Sequence, residues 1–180
     1  LILTHQDIDH IGGAAEIVQE TGAEVMAHAD DVPYIQGEQQ LIKFNPERIE
    51  TMLQSLPEER RDAARRLFSS PPRVRVDRTL KDGDELPQHG GLQIIYTPGH
   101  TPGHISLFVR SHGLLVSGDA LRVEDNKLVG PAAGATPDMQ TAVASVAKLQ
   151  SLPIDRVICY HGGLSPEGAA ERIREIARGE

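Results

Sequence analysis

The sequence has one cysteine, no tryptophan, three phenylalanines and three tyrosines. One cysteine excludes an intrachain disulfide framework and a cysteine-rich zinc module. So few aromatics mean that the core must be built from Leu, Ile, Val and Ala. No apolar run approaches the roughly 20 residues that a membrane-spanning helix needs, so no membrane partner is expected. Positive charge is in the minority: 18 Lys and Arg stand against 26 Asp and Glu, a net charge of -8 with a pI near 5.5. That balance argues against nucleic acid as the main partner. A disordered chain is excluded too, because 24% charged residues accompany 39% apolar ones. An initiating methionine is also missing. Leu1 to Leu3 are apolar and a dense polar cluster follows at once. This is how a strand interior looks just before a functional loop, so the chain reads as the later part of a longer domain. Its 180 residues suffice for one compact domain over 1–180. The low cysteine content suits the cytoplasm.

Strand and helix signals alternate along the chain. Residues 1–4 read as a strand end. Ala14 to Glu20 reads as a helix with Ile17 and Val18 inward and Gly22 as its C-terminal cap. Glu24 to Ala27 suggests a short strand. Residues 31–72 have a different texture and read as a helical insertion. Asn45-Pro46 starts one helix, with Ile49, Met52, Leu53 and Leu56 on one face. Ser55 and Glu58 suggest a capping box for a second helix carrying Ala63, Ala64, Leu67 and Phe68. The arginines of that helix, Arg60, Arg61, Arg65 and Arg66, read as a solvated face. Strand patterns follow at Val74 to Leu80, Leu92 to Thr97, Ile105 to Arg110 and Leu114 to Ser117. Thr136-Pro137 opens a helix with Met139, Val143, Val146 and Leu149 on its apolar face. Arg156 to Tyr160 is a strand, and Ser165-Pro166 opens a last helix with Ile173 and Ile176 inward. Such mixing argues for a layered α/β architecture.

Eight histidines stand in the chain, and five of them fall at strand ends or in the loops that follow. The first cluster, Thr4-His5-Gln6-Asp7-Ile8-Asp9-His10, has the pattern H-x-D-x-D-H. Alternation in a tight loop lets His5 and Asp7 face one ion while Asp9 and His10 face a second. Imidazole and carboxylate donors suit Zn, Mn or Fe. The second cluster is Thr97-Pro-Gly-His100-Thr-Pro-Gly-His104, where Pro and Gly set a sharp loop after a strand. Asp119 follows Ser-Gly at a strand end, and His161 ends the last strand. Taken singly, a His or Asp at a strand end is more often structural. His28, His89 and His112 are expected to be solvent-exposed, and Cys159 to be a buried small residue.

In this order the set resembles the metallo-β-lactamase superfamily of metallohydrolases. The TPGHTPGH stretch and the Gly-Gly-Ala-Ala-Glu helix start are similar to its glyoxalase II-like and lactonase-like branch. The resemblance implies a four-layer αβ/βα sandwich whose first strands would precede residue 1. It implies a first metal site from His5, Asp7 and His100, a second from Asp9, His10 and His161, and Asp119 as a bridge. Two divalent ions are expected, zinc first. Asp7 stands where the family has a histidine, which shifts preference toward Mn or Fe. His104 has no place in that ligand set and is expected to support it rather than join it.

The resemblance implies a hydrolase that uses a metal-bridging hydroxide to cleave an ester, thioester or lactone of a small-molecule substrate. Asp9 is then the catalytic carboxylate that orients the nucleophile and carries a proton. The insertion is expected to supply substrate contacts, with Tyr34 a candidate; packing at the base of the insertion is the alternative for Tyr34. Two other readings stay open. One is an iron-dependent redox enzyme of the persulfide dioxygenase or flavodiiron kind, and the other a non-catalytic, metal-stabilised binding domain. A homo-oligomer is compatible with all three.

Overall fold

The computed structural model describes residues 1–179, apart from the side chains of Gln88 and His89. The expectation for His89 therefore lies outside the described residues. The strands are β1 (Met26–His28), β2 (Arg78–Leu80), β3 (Glu85–Leu86), β4 (Leu92–Tyr96), β5 (Ile105–Val109), β6 (Leu114–Val116), β7 (Arg122–Glu124), β8 (Lys127–Val129), β9 (Arg156–Cys159) and β10 (Gly163–Leu164). The helices are α1 (Ile8–Ile11), α2 (Ala14–Thr21), α3 (Val32–Ile35), α4 (Pro46–Ser55), α5 (Glu58–Ser69), α6 (Gln88–Gly91), α7 (Met139–Leu149) and α8 (Ala169–Arg178). The result is a mixed α/β fold. Six strands form one sheet in the order β10-β9-β6-β5-β4-β3, antiparallel except for the β6–β9 pair. A smaller sheet pairs β1 with β2 in parallel, and Ile2 bridges to Met26 on its other side.

The period-2 side-chain alternation of these strands explains the packing. Ile94 and Ile105 point into a cluster with Leu80, Ile2 and Met26, between the two sheets. Phe108, Leu115 and Val157 point the other way, onto Val146 and Leu149 of α7 and Ile173 and Ile176 of α8. Ala27 and Leu3 face a third cluster with Ile11, Ala14, Ile35 and Phe44. Burying a Leu- or Ile-sized side chain contributes about 1.5–3 kcal/mol, so these clusters hold the sheets against each other. The loops at the strand ends are carried on that frame.

Several local expectations need correction. Ile17 is 46% exposed and only Val18 of the pair turns inward, because α2 is a surface helix with one narrow apolar stripe. No capping box forms: Ser55 Oγ donates to the Met52 carbonyl, and Pro57 precedes α5 without a side-chain cap. No residue of α5 is fully buried; Leu67 is exposed and Phe68 meets Phe44 edge-on at 5.1 Å. Asp138, not Thr136, caps α7 by accepting from the Thr141 N–H. The last helix starts at Ala169, after Gly168 in the left-handed region, while Ser165 Oγ accepts from the Val157 N–H. His28 is not exposed, because its ring stacks on Tyr96 at 4.2 Å. His112 is exposed and Cys159 is buried.

Candidate metal centre

The first-cluster loop is tied to both sheets. Leu3 N–H donates to the Met26 carbonyl and Ile105 N–H to the Thr4 carbonyl. Beyond it, α1 is a single turn whose carbonyl anchor is Asp7. The Thr4 hydroxyl lies 3.1 Å from His5 Nδ1 and 3.4 Å from His10 Nδ1. Both rings are thus held by Nδ1, and both Nε2 atoms turn inward. The same device recurs at His100, where Nδ1 lies 3.3 Å from the Thr136 hydroxyl. Imidazoles gripped at one nitrogen, with the other facing carboxylates (and bare of hydrogen-bond partners at His5 and His10), are arranged as metal ligands usually are.

The second loop follows β4. Its glycines answer to steric demands. A Cβ on Gly99, at φ +125°, would lie 2.3 Å from the Ala142 backbone nitrogen of α7. A Cβ on Gly103 would lie 2.5 Å from the Asp31 nitrogen. Asp31 is fully buried and accepts four hydrogen bonds, from the Gln6 backbone and side chain, the Thr101 hydroxyl and the Gly103 N–H. One carboxylate therefore locks the first loop to the second.

The donors gather in two groups. His5, Asp7, His100 and Asp119 form one, and Asp9, His10 and His161 form the other; the donor atoms within each lie within 4.8 Å of one another. Asp119 reaches both. Its Oδ1 is 3.2 Å from His10 Nε2, and its Oδ2 is 3.2 Å from His100 Nε2 and 3.3 Å from His161 Nε2. Asp7 Oδ2 is 3.5 Å from His5 Nε2 and 3.0 Å from His100 Nε2. Asp9 Oδ2 is 3.5 Å from His161 Nε2 and 3.9 Å from His10 Nε2. Donors bound about 2.0–2.1 Å from one ion sit roughly 3.4 Å apart at tetrahedral angles. Most of these separations cluster near that value. Among the described residues, His5 Nε2, His10 Nε2 and Asp119 Oδ1 are buried without a hydrogen-bond partner. Buried polar atoms are seldom left so, and the donor set fits divalent ions.

The electrostatics agree. Burial raises the carboxyls of Asp7 and Asp119, but the imidazoles crowded around them, and Lys43 beside Asp7, overcome it and hold both well below the usual carboxylate range. Burial pushes His5 and His104 down, His104 far down, so both imidazoles are neutral. His104 is no member of either group. Its Nε2 accepts from the Asp119 N–H at 2.9 Å, and its Nδ1 lies 2.8 Å from the Thr97 hydroxyl.

A cavity of about 200 Å³ adjoins the donors. Its walls include Asp7, Asp9, His100, Asp119 and His161 together with Leu41, Lys43, Phe44, Arg48 and Met52 from the segment 31–72. Arg48 reaches across to the Gly134 carbonyl at 3.1 Å. Tyr34 packs, partly buried, against the cluster that holds Ile35 and Phe44, and it does not line this cavity. Three features escaped the sequence reading. Asp31 was not singled out, and neither were the hydroxyls of Thr4 and Thr136 as partners of the imidazoles. Lys43, whose Nζ lies 2.6 Å from His100 Nε2 and touches Asp7 Oδ2, is the third; a lone charge within Leu41-Ile-Lys-Phe44 is the one signal that could have found it.

A family model described as "Metallo-beta-lactamase superfamily" matches residues 1–161. The chain is 34% identical over 179 residues to the probable metallo-hydrolase YflN of Bacillus subtilis, covering 90% of this chain and 63% of YflN. It is 27% identical over 177 residues to the hydroxyacylglutathione hydrolase GloC of Haemophilus influenzae, covering 96% of this chain and 72% of GloC. The chain thus spans roughly two thirds of the length of these relatives. Among solved structures, the superfamily protein ST1585 of Sulfolobus tokodaii matches with a TM-score of 0.66 at 21% identity, over 99% of this chain and 66% of that one. TTHA1623, solved in a di-iron-bound form, matches with a TM-score of 0.65 at 27% identity, over 96% of this chain and 74% of that one.

Proposed function

The chain belongs to the metallo-beta-lactamase superfamily, and on that premise we propose that it is a metal-dependent hydrolase of an ester, thioester or lactone. One observation carries the reading: two donor groups stand side by side, Asp119 of the first reaches His10 and His161 of the second, and one buried Nε2 in each group, of His5 and of His10, has no hydrogen-bond partner. His5, Asp7 and His100 would hold one divalent ion, Asp9, His10 and His161 the other, and Asp119 would span the two. When bound, such ions supply Lewis acidity, drawing the pKa of water toward neutrality and polarising a carbonyl.

The protein's own residues do the rest. Asp9 has the most exposed carboxylate of the set and lies in the cavity wall. There it accepts the proton of the attacking water and passes it to the leaving group. Lys43 and Arg48 offer positive charge to an anionic substrate, and Leu41, Phe44 and Met52 offer an apolar wall. The same reading takes the order helices, small sheet, large sheet, helices as the four-layer αβ/βα sandwich; the three apolar clusters support it.

Metal content and turnover test this together. We expect up to two equivalents of zinc, manganese or iron per chain and hydrolysis within a panel of small thioesters, esters and lactones. His100→Ala and Asp119→Ala should each remove both metal and activity. Full activity in either variant would overturn the reading. A second reading, iron-dependent redox chemistry, is favoured by Asp7, a hard anionic donor at a position where imidazole is usual. Bound iron with oxygen uptake and no hydrolysis would replace the first reading with it. Metal without either activity would leave a metal-stabilised binding domain.

A further inference from the structure

Lys43 sits where the fold leaves a place for an ion. Its ammonium touches Asp7 Oδ2 and lies 2.6 Å from His100 Nε2. Both are members of the first donor group. An ammonium has hydrogens and no lone pair, so His100 Nε2 must be the acceptor. The proton of His100 is then on Nδ1, toward Thr136. It follows that His100 Nε2 and Asp7 Oδ2, 3.0 Å apart, are two acceptors side by side. Acceptors crowd like this only around a cation, and here the cation is a side chain.

The lysine is also held there by its backbone. Ile42 N–H donates to Gln6 Oε1 at 2.9 Å, and Gln6 lies between the two donors His5 and Asp7. Leu41 and Phe44 are buried in the same apolar cluster on either side. The side chain of Lys43 is itself only 10% exposed. A charge so far from water needs compensating partners, and Asp7 and His100 supply them.

We infer that Lys43 is a tethered cation that fills the Asp7–His100 donor group and competes there with a metal ion. This rests on the metal-dependent reading above. Ion and ammonium exclude each other, because both need the same lone pairs. The group is therefore open to an ion only for the fraction of time that Lys43 is out. If that fraction is about 1–10%, the apparent affinity of the group is lowered about 10- to 100-fold. The group around Asp9, His10 and His161 makes no contact with Lys43 and fills first. Loading is then sequential, and the second ion releases Lys43 into the cavity that it lines beside Arg48.

The test is equilibrium dialysis of the metal-free protein against zinc or manganese, in wild type and Lys43→Met, with ions counted per chain. Methionine keeps the apolar stem and removes the charge. Wild type should bind one ion tightly and a second at least about tenfold more weakly. Lys43→Met should bind the weaker ion about tenfold or more tightly and leave the tighter one unchanged. A second measurement needs no variant: reductive methylation of Lys43, read by peptide mass spectrometry. It should be slow in the metal-free and one-ion protein and rise several-fold with the second ion. Identical two-ion isotherms in both proteins, a weaker second ion in Lys43→Met, or methylation indifferent to metal would overturn the role of Lys43 alone. No metal bound by either protein would overturn the hydrolase reading with it.

Discussion

Replacing His104 tests whether one buried imidazole sets the position of Asp119. The ring has no exposure and is neutral, since burial disfavours its charged form. It accepts from the Asp119 N–H, so Nδ1 carries the proton and donates to the Thr97 hydroxyl. Thr97 lies 3.0 Å from Ser106 Oγ, which donates in turn to the Ser117 carbonyl. Every proton in this buried chain has one direction. Gly118 makes room for it: at φ +54°, a Cβ there would lie 2.7 Å from His104 Nε2. His104→Ala orphans the Asp119 N–H, at about 1–3 kcal/mol, takes away the N–H that the Thr97 hydroxyl accepts while leaving it bonded to Ser106, and opens a cavity besides. We expect a loss of about 3–5 kcal/mol, against a total stability of about 5–15 kcal/mol for a domain. Urea unfolding of the metal-free protein reads it. Metal affinity should fall about 10- to 100-fold, as for other groups that orient ligands. Glutamine reaches to the place of Nε2 and asparagine only to that of Nδ1. His104→Gln should therefore recover metal affinity while His104→Asn recovers only part of the stability. An alanine cost under about 1 kcal/mol, or equal metal affinity in the Gln and Asn variants, would refute the reasoning.

Three further predictions follow from the same geometry. The metal-free protein should lose stability as pH falls below about 6.5, because His5 and His104 stay neutral when folded and take protons when unfolded. Each contributes at most about 1.4 kcal/mol per pH unit, and only between its unfolded and its lowered folded pKa. Asp7 and Asp119, held low when folded, add stability above their unfolded pKa that is lost as pH falls below about 4; a melting temperature flat from pH 7 to 5 would contradict the histidine assignment. Asp31→Asn turns an acceptor of four hydrogen bonds into a partial donor, and should cost about 2–4 kcal/mol in urea unfolding while weakening both donor groups; unchanged unfolding would remove Asp31 as the lock. Asp7→His should raise zinc affinity at the first group, since imidazole suits zinc and no longer pairs with Lys43; unchanged affinity by dialysis would remove Asp7 from the donors.

Much of the fold was legible because it rests on local signals. Strands β4, β5, β6 and β9 announce themselves through β-branched and apolar runs bounded by turns. Asn45-Pro46 is an N-cap that the structure uses as written, with Asn45 accepting from the Arg48 N–H. Helix ends were less legible at α7 and α8. There the true start depends on which residue the tertiary contacts leave free to cap. Asp138 N–H is bound to the Gly99 carbonyl, in a loop 39 positions earlier in the chain.

The sequence by itself named the candidate donors and their order along the chain. Spacing within H-x-D-x-D-H allows His5 and Asp7 to be divided from Asp9 and His10, and the helical turn Ile8–Ile11 makes that division. Only the tertiary structure decided what surrounds them. Asp31, Thr136, His104 and Lys43 reach partners 15 to 70 positions away, in a network whose members carry no local pattern. A hydroxyl, a carboxylate or an ammonium becomes a partner of a metal ligand only when folding buries both and leaves neither any water to turn to.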